Sequence, residues 1–200
     1  MDGKTQTIDT YNQSAQLLAK KFDGLGTYIN DIKEIFALIK IANPHVLEIG
    51  CGNGRDAEEI IKFTDNYLGI DVAEKLIELA HQKAPKLNFK IADIENYKFP
   101  QKLDVIFAFA SLIHVPRKSL RKILADAYFA LNDKGIMWLS MKYSSHYIKT
   151  TKEDEFGIRT YYLYSQKDIE KLAANFIILK NELYDLRGQK WFKIILQKKF

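Results

Sequence analysis

A chain of 200 residues, 47% hydrophobic, is long enough to bury about 70% of the surface its unfolded form exposes, so one domain over 1–200 is expected. Its opening residues lack a signal pattern and no apolar run approaches the ~20 residues of a bilayer span, so a cytoplasmic protein with no membrane partner is expected. The single cysteine, Cys51, excludes an internal disulfide.

The net charge of +5 is unevenly placed, with 18 basic and 18 acidic residues over 1–140 against 12 and 7 over 141–200. A basic C-terminal part suits an anionic small molecule or a nucleic acid. No run of adjacent basic residues exceeds two, which is weak for a nucleic-acid footprint without excluding one.

In chain order, Ile8, Tyr11, Ala15, Leu18 and Phe22 recur at helical spacing and predict a docking helix over 7–22. Gly24 and Gly26 end it, and Tyr28, Ile32, Ile35, Phe36 and Ile39 mark a second helix. Residues 1–43 thus read as N-terminal helices and 44–200 as the core. Val46-Leu47-Glu48-Ile49 is a short apolar run of the kind found in buried parallel strands. Gly50, Gly52 and Gly54 break it before a helical pattern begins at Asp56. Glycines at alternate positions allow a sharp turn and remove Cβ atoms that would hold a ligand away from the peptide groups, so the turn reads as a ligand contact. A dinucleotide fingerprint would need a small residue at 55, where Arg55 stands.

Strands follow at 67–71, 88–92, 103–110 and 136–141, alternating with helices around Leu76–Ala80 and over 119–131. Ser165-Gln166-Lys167-Asp168 reads as a capping box opening a helix to about Ala174. Two apolar runs, 176–184 and 191–197, joined by Asp185–Gly188, form an antiparallel hairpin. The alternation argues for a parallel sheet with helices on both faces.

The stretch acid-x-Gly-x-Gly-x-Gly from Glu48 to Gly54 resembles motif I of the class I S-adenosylmethionine (SAM)-dependent methyltransferases, and the element order resembles that family over nearly the whole chain. The resemblance implies an α/β, Rossmann-like seven-stranded sheet: five parallel βα units, a C-terminal antiparallel hairpin and an N-terminal helical cap. It implies SAM as cofactor and no metal. Carried onto this sequence, it places Glu48, Gly50, Cys51, Gly52, Asn53, Gly54, Arg55 and Val72 at the cofactor, Asp71 at its ribose, Asp93 and Ile94 at its adenine, and Ala110, Ser111 and Tyr11 beside it. Glu48 in an apolar strand needs a partner, and Asp93 can equally cap the following turn. Cys51 reads as small-residue packing.

No Tyr-x-x-x-Lys is present, which weakens a hydride-transfer reading. The prolines at 44, 85, 100 and 116 stand alone, and Ser111-Leu112-Ile113-His114 replaces the Asn/Asp-Pro-Pro-aromatic motif of amide and base methylation. That favours the small-molecule branch. His114, just past the fourth strand, is the candidate catalytic base or acceptor-orienting residue. Tyr11, Lys142, Arg159, Tyr161, Lys190 and Trp191 join it as candidates for binding the substrate. Gly157-Ile158-Arg159 and Asn132–Ile136 depart from the usual family forms, which leaves the acceptor open. The expected activity is methyl transfer to a small-molecule acceptor by in-line displacement, in a monomer or homodimer. RNA or protein methylation through the basic C-terminus, and a non-catalytic SAM-binding module, are the alternatives.

Overall fold

The computed structural model describes residues 2–199. The N-terminal part forms α1 (Gly3–Gln13), α2 (Ala15–Asp23) and α3 (Ile29–Ile39). The Asp2 carboxylate caps α1, accepting the Lys4 and Thr5 amides at 2.9 and 2.8 Å. The single helix expected over 7–22 is therefore two. At Ser14 the backbone leaves helical angles (φ −105°, ψ 18°), and its hydroxyl donates to the Phe156 carbonyl at 2.7 Å, a tertiary contact that local periodicity does not reveal.

The core then runs β1 (Val46–Ile49), α4 (Ala57–Ile60), β2 (Tyr67–Asp71), α5 (Glu74–Lys83), β3 (Phe89–Ile91), β4 (Leu103–Ala108), α6 (Arg117–Ala130) and β5 (Leu131–Lys142). It continues through β6 (Ile148–Asp154), β7 (Gly157–Leu163), α7 (Gln166–Leu172), β8 (Phe176–Leu186) and β9 (Gln189–Lys198). Seven strands form one sheet in the order β3-β2-β1-β4-β5-β9-β8. The first five are parallel, β9 runs antiparallel to β5, and β8 antiparallel to β9. This is the Rossmann-like sheet with a closing hairpin that the sequence led us to expect.

Side chains alternate across each strand, and in this sheet both faces are buried. Val46, Val105, Phe107, Ile136 and Trp138 point toward α3 and α4, where Ile32, Ile35, Phe36 and Ile60 meet them. Leu47, Ile106, Met137 and Leu139 point the other way, onto Leu120, Ile123, Leu124 and Ala127 of α6. Alternate positions therefore belong to opposite cores, which is why the strands read as continuous apolar runs.

Three of the boundaries that move have a local backbone cause. The fourth strand ends at Ala108, because Ala110 turns to φ +53°. The fifth begins at Leu131 and contains an irregularity before Ile136, with Lys134 at φ +63°. The linker Asp185–Gly188 shortens to Arg187-Gly188, both at positive φ (55° and 78°), which matches the right-handed twist of a tight hairpin. The capping box opens α7 as expected, with Ser165 and Asp168 bonding each other's backbone amides.

Sequence reading left residues 148–163 without an element. There β6 and β7 form a separate antiparallel pair. Its strand β6, Ile-Lys-Thr-Thr-Lys-Glu-Asp, has no apolar alternation to announce it. Hydroxyls tie this hairpin to α1: Thr10 donates to the Ile158 carbonyl at 2.7 Å, and Thr7 accepts the Thr160 amide at 2.9 Å. Among the described residues no helix is long and apolar enough to cross a membrane.

The chain passes from β1 outward to β2 and β3, then returns to place β4 on the other side of β1. Open α/β sheets bind ligands at such a switch, outside the carboxyl ends of the strands. A cavity of about 460 Å³ lies there, roofed by α1 and the β6–β7 hairpin.

Candidate functional site

The three glycines after β1 do three different things. Gly50 (φ +70°) leaves its strand against Ser111, and a Cβ there would stand 2.2 Å from the Ser111 Cβ. Ser111 sits so close because its hydroxyl donates to the Ile49 carbonyl at 2.6 Å, joining the ends of β1 and β4. Gly54 (φ +72°) faces inward, where a Cβ would meet the Phe89 ring at 3.1 Å. Only Gly52 (φ +55°) has open space where its Cβ would be, and it lines the cavity. Gly50 and Gly54 thus owe their presence to packing as well as backbone, and Gly54 does not line the cavity.

Asp71 ends β2 facing the cavity. One carboxylate oxygen accepts the Gly52 amide at 2.9 Å and the other the Ala73 amide at 2.8 Å. It pins the glycine turn to the start of α5 and retains lone pairs for a ligand's hydroxyls. Burial raises its pKa, and the two amides oppose that.

Glu48, 2% exposed, finds its required partner in Tyr67, whose hydroxyl donates to it at 2.5 Å. Burial, with Asp56 nearby, pushes this carboxyl up to about 8. Asp56 takes the Arg55 guanidinium at 2.9 and 2.5 Å and the Tyr28 amide at 2.8 Å. Asn53 donates to Asp23 at 3.0 Å, tying the turn to the end of α2. Cys51 is buried and its thiol is raised well above its ordinary pKa, so it packs rather than reacts.

Glu48 carries a prediction with a definite sign. Between pH 4.5 and 8 the unfolded chain has released this proton and the folded chain still holds it, so ligand-free stability falls as pH rises through that window. Glu48→Gln keeps an acceptor for Tyr67 and removes the titration. Its melting temperature should match the wild type at pH 5 and exceed it at pH 8.5 by about 2–4 °C or more. Parallel melting curves across pH would refute this.

Around the rest of the wall, Val72, Ile94 and Ala110 supply apolar surface. Asp93 lines the cavity too, yet its oxygens accept the Glu95 amide at 3.1 Å and the Lys4 ammonium at 2.6 Å. It therefore caps its turn and binds α1 at the same time.

Elsewhere on the cavity wall Tyr11 meets His114, Oη to Nε2, at 2.9 Å. The other ring nitrogen, Nδ1, lies 2.6 Å from the Thr160 carbonyl, which can only accept. Nδ1 therefore carries the proton, and the Tyr11 hydroxyl donates to Nε2. Burial lowers the His114 pKa to about 4, and burial raises that of Tyr11, so both are neutral at pH 7. Lys142, Arg159, Tyr161 and Trp191 line the same cavity. Lys190 does not: it is exposed, because neighbouring residues of β9 point to opposite sides and Trp191 takes the inner one. The sequence reading missed Tyr28, which stacks on Phe109 at 4.6 Å under the Arg55 guanidinium, and also Lys4, Lys152 and Asp154. Tyr28 stood in an apolar stripe and read as core; the others carried no local signal.

The cavity falls within the ~300–1,000 Å³ of ligand sites. A glycine with open space at its missing Cβ, a carboxylate at the end of β2 and an apolar wall between them fit a nucleoside carrying an amino-acid tail. Residues 46–135 match the sequence model of the family described as Methyltransferase domain. Malonyl-[acyl-carrier protein] O-methyltransferase 2 of Ilyobacter polytropus is 32% identical over 114 residues, 54% of this chain and 41% of that protein. Ubiquinone biosynthesis O-methyltransferase of Coxiella burnetii is 34% identical over 90 residues, 42% of this chain and 38% of that protein. The chain thus spans about two fifths of the length of these curated relatives. In fold, magnesium protoporphyrin IX methyltransferase from Synechocystis, solved with bound SAM, superposes with a TM-score of 0.73 at 17% identity, covering 100% of this chain and 98% of that one. The glycine turn, the strand order and the matched residues 46–135 agree in their likeness to the Methyltransferase domain family, and the fold is that of the SAM-bound Synechocystis methyltransferase.

Proposed function

We propose that this protein transfers a methyl group from SAM to a small-molecule acceptor bound in the same cavity. The observation that carries the reading is one continuous cavity lined both by Gly52 and Asp71 and by Tyr11, His114 and Lys142. The relative named for ubiquinone biosynthesis favours an acceptor of modest size. Part of the basic C-terminal charge is engaged within the molecule: Lys193 binds Asp31 at 2.7 Å and Lys180 binds Glu34 at 2.8 Å. That leaves less free charge for a nucleic acid.

In this reading Asp71 holds the ribose hydroxyls, the Gly52 peptide lets the tail approach, and Ile94 and Val72 enclose the adenine. The bound SAM supplies a sulfonium-activated methyl group, which needs alignment more than acid or base help. The chain's contribution is then to orient the acceptor and exclude water. Tyr11 presents a neutral hydroxyl, and His114, fixed by Thr160, sets where that hydroxyl points. His114 is an orienting residue here, because a group with pKa about 4 is a weak base at pH 7.

The pH dependence distinguishes these roles. The rate should show no step near pH 6.5, and His114→Gln should lower turnover by about tenfold without changing the profile. A limb near pH 6.5 that disappears in the variant would restore the base. Stability should also fall between pH 6.5 and 4, where the unfolded chain gains a proton on this ring and the folded chain does not.

The function itself is tested with SAM labelled in its methyl group and a fractionated cell extract. Label in the low-molecular-mass fraction supports the proposal. Label in RNA or protein would replace its acceptor class, and label nowhere would favour a binding module.

A further inference from the structure

The cavity wall around Lys142 and Arg159 holds positive charge that its own carboxylates do not neutralise. Lys142 closes β5 with its ammonium 3.6 Å from the Tyr161 ring centroid and 5.7 Å from that of Trp191, and no carboxylate pairs with it among the described residues. Lys152 of β6, Arg159 of β7 and Lys21 of α2, the last 3.8 Å from the Glu155 carboxylate, also face it. The facing carboxylate, Asp154, is taken by the Arg159 Nη2, while Glu153, its neighbour on β6, reaches the cavity wall with no ion pair. Arg159 is 7% exposed, and its Nε has no hydrogen-bond partner among the described residues.

A buried guanidinium with an unmet donor, beside a lysine held by rings instead of a counter-ion, is costly in a ligand-free fold. An anion entering between them removes both costs. Arginine's planar fork suits a carboxylate or phosphate, and Tyr161 and Trp191 line the cavity beside it.

We propose that the acceptor is a small anion whose charged group lies between the Lys142 ammonium and the Arg159 guanidinium, beside Tyr161 and Trp191. This rests on the methyltransferase reading of the same cavity. Burial and the surrounding cations pull the Lys142 pKa down to about 8, so anion binding draws a proton onto this residue above that pH.

The test titrates the protein, first saturated with S-adenosylhomocysteine, with benzoate, phenyl phosphate and the neutral benzamide at pH 7. At least one anion should bind tenfold or more tightly than benzamide, and the stronger of the two identifies carboxylate or phosphate as the recognised group. Lys142→Met should abolish that preference and Lys142→Arg should keep it, with S-adenosylhomocysteine affinity serving as the control for folding. Equal binding of benzamide, or an undiminished anion preference in Lys142→Met, overturns the proposal alone. Failure of the wild type to bind S-adenosylhomocysteine overturns the cavity reading, and the proposal with it.

Discussion

Asp71→Ala is expected to weaken S-adenosylhomocysteine binding by at least a hundredfold and to lower the melting temperature of the ligand-free protein. The affinity loss follows from removing a carboxylate placed to accept two ribose hydroxyls, each such charge-assisted bond contributing about 1.5–3 kcal/mol. The stability loss follows from the two amides, of Gly52 and Ala73, that the same oxygens accept. Leaving such donors unmet costs about 2 kcal/mol, or about 4–8 °C in a chain of this size. From the sequence alone, Asp71 looks removable without harm to the fold, since it sits at a cleft. The structure revises that, because the carboxylate is also the clasp of the glycine turn. Asp71→Asn, which keeps one acceptor, should fall between wild type and alanine in both measurements. Binding within fivefold of wild type in Asp71→Ala would remove this residue from the site.

The second large effect is a contrast between two glycines two residues apart. Gly50→Ala places a methyl group 2.2 Å from the Ser111 Cβ at a φ of +70°, so overpacking of about 1–3 kcal/mol adds to about 1–2 kcal/mol of backbone strain. The fold itself should suffer, with a melting temperature lower by about 4 °C at the least. Gly52→Ala meets nothing within 4 Å and carries only the strain of φ +55°. Its stability should fall by about 1–2 kcal/mol, while S-adenosylhomocysteine affinity should fall tenfold or more as the methyl group enters the space the ligand needs. Melting curves and calorimetric titrations of the two variants separate packing from access. Equal loss of affinity at equal stability would mean that the two glycines serve one purpose.

These contrasts show what the sequence made legible. Short continuous apolar runs such as Val46–Ile49, recurring between helical patterns, announced parallel strands because both faces of the sheet are buried. The glycine turn and Asp71 were legible as a group because a ligand site at a strand end constrains a few adjacent residues in a local pattern. What is assembled from distant segments was not. The β6–β7 hairpin is stabilised by hydroxyl-to-backbone bonds from Thr7 and Thr10, more than a hundred residues earlier, and its exposed strand has no hydrophobic period. The protonation of His114 was equally invisible, since it depends on the Thr160 carbonyl and on burial beneath that hairpin. Lys190 misled because its neighbour Trp191 does face the cavity, and strand alternation separates the two.

The central claim is that the cavity at the β1–β4 switch binds SAM and its product. Calorimetric titration of the wild-type protein with S-adenosylhomocysteine and, separately, with NAD tests it most directly. The account predicts one site for S-adenosylhomocysteine, lost in Asp71→Ala, and no heat from NAD. Saturable binding of NAD with none of S-adenosylhomocysteine would contradict it.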